Sequence, residues 1–158
     1  MKTTIFKSLF ITLLIMQSVS AFSHSNKHEE PKDPMFSGLD SDAAKVVIQF
    51  RDALKAGNAE IVNSVLSKDV LIYESGNAER SSLQYVSGHM LSDMKYLASV
   101  DSEIIEHQVK ISGDVAISTS QSKNISTKDG KTTERISMET IVVSKVKGQW
   151  LITHIHWS

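Results

Sequence analysis

The closing segment of the chain, residues 148–158 (GQWLITHIHWS), limits the possible folds more than any other stretch. It is rich in β-branched and aromatic residues, which favour strands. Side chains alternate between the two faces of a strand. The alternation predicts one face with Trp150, Ile152, His154 and His156, and another with Leu151, Thr153, Ile155 and Trp157. Because both faces are largely apolar and both need cover, we expect a central strand of a curved sheet.

The first 21 residues have the pattern of a secretory signal peptide. Lys2 and Lys7 give a basic start, an apolar run follows from Leu9 to Met16, and residues 19–21 (VSA) form a small-residue cleavage pattern. The run is shorter than the roughly 18 to 20 apolar residues that span a bilayer. We therefore expect cleavage after Ala21, a periplasmic or secreted protein, and no stable membrane insertion afterwards. An uncleaved membrane anchor is the alternative.

Composition limits the remaining chain to a single domain. Residues 22–38 are polar, contain both prolines and predict a flexible leader. This leaves residues 39–158 as one compact domain.

The charge and composition of the chain exclude several kinds of partner and site. Removing Lys2 and Lys7 takes the formal net charge from −1 to −3, and no Lys/Arg cluster exists, so nucleic acid is excluded as a partner. The absence of cysteine excludes thiolate metal sites and cysteine nucleophiles.

Apolar periodicity predicts three helices followed by a run of strands. Helices are expected from Asp40 or Ser41 to Gly57, from Asn58 to Leu66, and from Ser81 to Leu97. The third helix should bury the stripe Leu83, Val86, Met90, Met94 and Leu97. Strands are expected at 69–74, 103–111, 115–122, 133–146 and 149–158. This order predicts an α+β domain in which a cone-shaped, curved, mostly antiparallel sheet wraps around about three N-terminal helices and leaves a cavity.

The domain resembles the SnoaL-like group of the nuclear transport factor 2-like superfamily. The resemblance is carried, in order, by Phe50-x-x-Ala53-Leu54-x-x-Gly57-Asn58, Leu66-x-x-Asp69-Val70, Glu74-Ser75-Gly76, Glu139-Thr140 and Gly148-x-Trp150-x-Ile152-x-His154-x-His156-x-Ser158. The last motif is also similar to the association (hub) domain of calcium/calmodulin-dependent kinases. The superfamily includes isomerases, dehydratases, cyclases, ligand binders and assembly modules, so the fold alone does not determine an activity.

Three residues are candidates for acid–base catalysis. The resemblance to steroid isomerases implies that Glu74, at the end of the first long strand, is a general base. A carboxylate in an apolar cavity has a raised pKa and can move a proton next to a carbonyl. His89 and Asp93 lie one helical turn apart, so the carboxylate can orient the imidazole. The alternatives are a turn-forming Glu74 and a plain surface pair of His89 and Asp93.

A second group of residues is predicted to line a ligand pocket. Hub domains carry a pocket-facing arginine where this chain has Trp157, which implies a small apolar or aromatic ligand. The expected binding residues are Tyr73, Glu139, Ile141, Ile155 and Trp157, with Leu151 beside them. The alternative is that the apolar members simply pack on the first helix. No cofactor is expected, since the chain lacks a phosphate loop, a dinucleotide fingerprint and an HExxH helix.

His154 and His156 are weak candidates for a metal site. On one strand face their Cβ atoms are about 6.5 to 7 Å apart, which follows from a rise of about 3.3 Å per residue, and this spacing can grip a metal. We expect them instead on the outer sheet face, buried or in a homodimer interface, and no metal is predicted. The sequence leaves three functions open: an exported small-molecule-binding domain, an acid–base enzyme using Glu74, and a homodimeric assembly module without ligand.

Overall fold

The computed structural model describes residues 35–158; the predicted signal peptide and residues 22–34 of the predicted leader lie outside the described residues. The elements are, in chain order, β1 (Phe36–Ser37), α1 (Asp42–Lys55), α2 (Ala59–Val65), β2 (Leu66–Glu74), β3 (Asn77–Glu79), α3 (Ser82–Ser87), α4 (Met90–Ser99), β4 (Asp101–Ser112), β5 (Val115–Lys128), β6 (Lys131–Val146) and β7 (Gln149–Trp157). In this part of the chain, no helix has the length and apolar character needed to cross a bilayer.

A single curved, open sheet carries the fold. Its strand order is β1-β4-β5-β6-β7-β2-β3, and the pairs β1–β4 and β2–β7 are parallel while the others are antiparallel. β7 is flanked by β6 and β2. Helices α1 and α2 precede β2, α3 and α4 precede β4, and α1 packs on the sheet. The predicted α+β class and its curved, mostly antiparallel sheet are confirmed.

The first two helices form as their sequences predict. The Ser41 side chain accepts a hydrogen bond from the amide of Ala44 at the start of α1, and Asn58 accepts one from Ile61 at the start of α2. The buried side of α1 carries Ala43, Val47, Phe50 and Leu54. These side chains pack against the inner face of the sheet and form one core with it.

The predicted third helix is two helices, because the chain breaks at Gly88. Gly88 ends α3, and His89 then begins α4 as its N-cap residue. The break changes which side chains face the core. Leu83 was predicted to be buried but is 75% exposed, whereas Tyr85 is fully buried. The prediction for Leu83 was wrong because it continued one helical period across the break.

A β-bulge in β7 corrects the predicted faces of the closing strand. Ile152 pairs with Val143 and His154 pairs with Val142, so Thr153 is an extra residue. Ile152 and Ile155 are therefore both in the core. The prediction that Ile152 shares a face with His154 was wrong, since strict alternation fails at a bulge.

The end of the predicted leader is part of the sheet. Phe36 and Ser37 pair with His107 and Gln108 on β4. Gly38 follows with a φ of +71°, and a Cβ there would lie 2.2 Å from the carbonyl oxygen of Val109. This position requires glycine for both reasons. The leader boundary at residue 38 therefore falls beyond the first strand.

Candidate functional site

A cavity of about 420 Å³ opens between α1, α4 and the inner face of the sheet. Its lining combines apolar, hydroxyl and charged side chains: Arg51, Asp52, Leu54, Lys55, Glu74, Ser75, Asp93, Tyr96, Leu97, Ser102, Ile104, Ser120, Ser122, Asn124, Arg135, Ser137, Glu139, Trp157 and Ser158. The sequence predicted Glu74, Asp93 and Glu139 at the site, but a largely apolar pocket otherwise, so the remaining charged and hydroxyl groups of this lining were not predicted. A second depression of similar volume lies over α1 and α2 and contains none of the predicted site residues.

Sheet register places the site residues in one row. His107 pairs with Ser120, Ser120 with Glu139, Glu139 with Trp157, and Trp157 with Glu74. Directly opposed residues point to the same face of a sheet. One row across five strands therefore carries polar side chains toward the cavity and the core beneath it.

Glu74, His89 and Asp93 lie together at one wall of the cavity. The distance from His89 Nε2 to Glu74 Oε2 is 3.5 Å, and to Asp93 Oδ1 it is 3.4 Å. Strand β2 ends at Glu74, and the α3–α4 break presents His89 to it. The structure therefore brings together the three residues predicted for acid–base chemistry. Glu74 is 15 positions before His89 in the sequence, and His89 is four positions before Asp93.

Glu74 is the least satisfied member of this cluster. Its Oε2 atom is buried and has no hydrogen-bond partner. The 3.5 Å approach of His89 is at the outer limit of hydrogen bonding, so we treat it as an electrostatic contact. Burial, followed by the charge of Asp93, raises the pKa of Glu74, while His89 acts in the opposite direction.

Asp93 is held by a buried phenol. The Tyr85 hydroxyl donates to Asp93 Oδ2 at 2.7 Å. Burial raises the pKa of Asp93, and the hydrogen bond from Tyr85 and the charge of His89 partly offset it. Burial, with the nearby Asp93, also raises the pKa of Tyr85, which keeps the phenol protonated as a donor. The Tyr85 hydroxyl is thus committed to Asp93.

The cluster also has metal-ligand chemistry. One ligand atom from each of Glu74, His89 and Asp93 lies within 4.8 Å of the others, so these residues could hold a cation. Neither His154 nor His156 belongs to that group. The His154 ring instead meets the edge of Tyr73, with centroids 5.5 Å apart.

A second polar network forms the floor beside Trp157. Arg51 donates from Nε to Glu139 Oε1 at 2.7 Å and contacts the same oxygen through Nη2. Nη2 also donates to the Ser120 hydroxyl at 2.6 Å. The Trp157 indole donates to the other carboxylate oxygen of Glu139, also at 2.7 Å. Glu139 thus accepts hydrogen bonds from both Arg51 and Trp157, and its carboxylate neutralises the charge of Arg51 within this network.

His107 completes this network below the cavity. Arg51 Nη1 lies 3.2 Å from His107 Nδ1, and His107 Nε2 lies 2.9 Å from the Ser118 hydroxyl. Burial and the charge of Arg51 lower the pKa of His107 to about 4. The ring is therefore neutral near pH 7. The guanidinium donates to Nδ1, which leaves the proton on Nε2 to reach Ser118.

The predicted ligand-binding residues divide into two groups. Glu139 and Trp157 line the cavity. Ile141 and Ile155 pair with each other and are fully buried in the core, and Tyr73 is 40% exposed beside His154. These three residues do not line the cavity, because the core extends beneath this part of the wall and because Tyr73 points to the other face of β2.

Four residues at or beside the site were not predicted from the sequence: Arg51, Glu79, Tyr85 and His107. For two of them a signal was present. Arg51 follows Val47 by four positions and precedes Leu54 by three, which places it on the shoulder of the buried stripe of α1. His107 has the same strand parity as Val109, which is buried. A charged or titratable residue in an apolar pattern is a signal for a buried polar network.

Comparisons with known proteins agree with this fold. The family profile described as "SnoaL-like domain" matches residues 44–158. A crystal structure from Shewanella frigidimarina, named as a "putative ketosteroid isomerase", is 47% identical over 78% of this chain and 99% of that one, with a TM-score of 0.74. No curated protein matches.

More distant structures show the same fold at low identity. The association domain of calcium/calmodulin-dependent kinase II from C. elegans is 22% identical over 74% of this chain and 92% of that one, with a TM-score of 0.60. A nuclear transport factor 2-like protein from Novosphingobium aromaticivorans is 12% identical over 73% and 78%, with a TM-score of 0.61. Both resemblances stated from the sequence are confirmed.

Proposed function

We propose that this chain, which belongs to the SnoaL-like domain family, binds a small molecule in its cavity and moves a proton on it with Glu74. One observation carries this proposal. A carboxylate oxygen of Glu74 is buried at the cavity wall with no hydrogen-bond partner. Such an atom is costly to bury, and a substrate C–H or O–H group is a partner that would relieve it.

The electrostatics of Glu74 suit a general base. Burial and Asp93 raise its pKa, and a base is more effective when its pKa approaches the working pH. The Glu74 carboxylate would take a proton from a carbon next to a carbonyl, and the resulting carboxylic acid would return that proton elsewhere on the substrate. This is the chemistry of isomerases, dehydratases and cyclases. The name of the Shewanella frigidimarina relative points to the same class.

The cavity lining suits a small ligand with both apolar and polar parts. Tyr96, Leu97 and Ile104 offer apolar surface, while Arg135 and the serines of β4 to β6 offer donors. Its volume of about 420 Å³ lies within the range of small-molecule sites. A carbonyl compound with polar substituents matches this lining better than a plain hydrocarbon.

The test is turnover of a panel of carbonyl compounds by the wild type and by Glu74→Gln. Glu74→Gln should lower kcat by about 10²–10⁴-fold, the usual contribution of general acid–base catalysis, with KM little changed. Glu60→Gln, an exposed change on α2, is the matched control. If compounds bind to both proteins and none is turned over, the domain is a binding module and the enzyme proposal is wrong.

A specific observation favours self-association as a second function. The sheet face opposite the cavity carries partly exposed apolar side chains: Tyr73, Ile117, Ile136, Met138 and Val142, together with His154 and His156. A contiguous exposed apolar patch favours association. Two solved structures of the same fold, each 22% identical to this chain, are named as association domains, one from C. elegans and one from Xanthomonas campestris. Their names support a second copy of this chain as the occupant.

Sedimentation of variants tests the homodimer. Met138→Lys places a charge in the middle of the apolar face and should shift the protein to monomer. Leu83→Lys, an exposed apolar residue on α3, is the matched control and should leave the dimer intact. A wild-type protein that sediments as a monomer at all concentrations would contradict the dimer.

Export is proposed from the N-terminal pattern of Lys2, Lys7 and the apolar run that follows. The protein expressed with its full N-terminus in a bacterial host should appear outside the cytoplasm. Its N-terminal sequence should then begin at Phe22. A cytoplasmic protein that retains Met1 would disprove export.

A further inference from the structure

Arg135 is a cation of the cavity wall that has no partner in the protein. Its side chain lines the cavity from β6. Among the described residues, it forms neither an ion pair nor a hydrogen bond. The carboxylate next to it in the chain, Glu134, points to the opposite face of β6 and approaches Lys123 at 3.5 Å. The guanidinium of Arg135 therefore keeps its full capacity to bind an anion.

The other arginine of the lining is already neutralised. Arg51 donates to Glu139 at 2.7 Å and to the Ser120 hydroxyl at 2.6 Å. A ligand anion at Arg51 would have to compete with a largely buried carboxylate. Arg135 is therefore the arginine of this cavity that a ligand can engage without breaking an existing ion pair.

Hydroxyl groups surround Arg135 on the inner face of the sheet. Arg135 pairs with Asn124, and Asn124 pairs with Ser102. Two residues along β6, about 7 Å away, Ser137 pairs with Ser122. The Asn124 amide donates to the Ser137 hydroxyl at 2.8 Å, which leaves the Ser137 proton available to a ligand. The polar end of the cavity thus combines one guanidinium with several hydroxyl donors.

The acidic groups across the cavity limit the charge of such a ligand. Glu74, Glu79 and Asp93 each lie 3.4 to 3.5 Å from His89, and Glu74 and Asp93 also line the cavity. Burial raises the pKa of Glu74, and the charge of Arg135 is among the influences that oppose this rise, so the two residues act on each other across the cavity. A doubly charged anion would be repelled by this acidic wall. A singly charged carboxylate is matched by one guanidinium.

We propose that Arg135 is a specificity-determining residue that selects ligands with one carboxylate. The planar fork of a guanidinium fits the two oxygens of a carboxylate, and the hydroxyls around Arg135 supply further donors. If the same molecule presents a carbonyl to Glu74, the substrate class is an oxo acid whose carboxylate is remote from the reacting carbon. This last step rests on the proposed function, whereas the carboxylate preference does not.

The test compares acids with their neutral amides. Levulinate and a cyclohexanone carboxylate, each beside its primary amide, are titrated into the protein and followed by NMR. The wild type should bind each acid more tightly than the amide. Arg135→Gln should weaken binding of the acids by about 10- to 100-fold, the range of hydrogen bonds to charged groups, and leave amide binding unchanged. Arg80→Gln, the same change at an exposed arginine outside the lining, should keep the preference.

Each result either supports or overturns the assignment. A wild-type protein that binds neither acid, or that binds acid and amide equally, would overturn it. So would an equal loss in Arg80→Gln. Lys55→Met changes the cation that α1 contributes to the lining; a loss of acid binding in that variant but not in Arg135→Gln would also overturn the assignment. Should Arg135→Gln fail to fold, Arg135→Lys keeps the charge without the fork and should show a smaller loss.

This inference and the proposed function can fail separately. Binding is measured without turnover, so the carboxylate preference can be correct in a protein that transforms nothing. Where turnover is found, Arg135→Gln should raise KM for the acids with kcat little changed, whereas Glu74→Gln should lower kcat. Neutral carbonyl compounds turned over as readily as the acids would leave the proposed function standing and overturn this inference.

Discussion

At the scale of single residues, the ion pair of Arg51 and Glu139 is a largely buried charge pair at the cavity. The two side chains are only 16% and 14% exposed, and Arg51 also reaches Ser120 and His107. Removing one partner of a buried pair leaves the other charge uncompensated. We expect Arg51→Met to lower the free energy of unfolding by about 3 kcal/mol, measured by urea denaturation.

A control and a double variant separate charge from packing. Arg80→Met, on an exposed arginine, should change stability by less than about 0.5 kcal/mol. Arg51→Met combined with Glu139→Leu should recover part of the loss, because no buried carboxylate is then left unpaired. A double variant less stable than Arg51→Met alone would contradict this explanation.

The sequence could supply three members of the acid–base cluster but not the residues that hold them. Glu74 came from the resemblance to steroid isomerases, which place an acidic base at a comparable strand end, and His89 and Asp93 came from their helical spacing. Glu79 and Tyr85 were missed, because their roles depend on the pairing of β3 with β2 and on the rotation of α3. Neither register nor rotation is encoded in a local pattern.

At the scale of elements, β1 depends on a close backbone approach that only glycine permits. A Cβ on Gly38 would lie 2.2 Å from the Val109 carbonyl oxygen. Gly38→Ala should therefore destabilise the protein by more than the roughly 1 kcal/mol expected from a positive φ alone. It should also expose the amide of His107, which donates to Met35, to hydrogen exchange.

Gly57→Ala is a matched control for the close approach. Gly57 has a φ of +70°, nearly that of Gly38, but no atom lies within 4 Å of a Cβ built there. The difference between the two variants therefore measures the clash and not the backbone strain. Equal losses of unfolding free energy would show that β1 can move aside.

Two irregular features explain where prediction of the elements failed. Capping residues such as Ser41, Asn58 and Ser81 gave the helix starts correctly, since each cap is a local hydrogen bond. The break at Gly88 interrupts the helical period between α3 and α4, and the bulge at Thr153 shifts the strand alternation by one position. Each depends on contacts with distant segments, which periodicity does not contain.

At the scale of the whole molecule, buried titratable groups make opposite contributions to the pH dependence of stability. Burial and Arg51 lower the pKa of His107 from 6.5 to about 4. Between these values the unfolded chain binds more protons at His107 than the folded one, so this residue makes stability rise with pH. Glu74 and Asp93 have raised pKa values, so their contribution falls as pH rises above their ordinary values.

We therefore expect His107→Asn to remove the rising part of the stability profile. The shift at His107 corresponds to about 3 kcal/mol across the window from pH 4 to 6.5. Urea denaturation across that window should show a flat or falling unfolding free energy in the variant. His156→Asn, a change at an exposed histidine on the opposite face of the sheet, should keep the wild-type slope. If the unfolding free energy of His107→Asn rises with pH as steeply as that of the wild type, His107 is not the group responsible for the pH dependence.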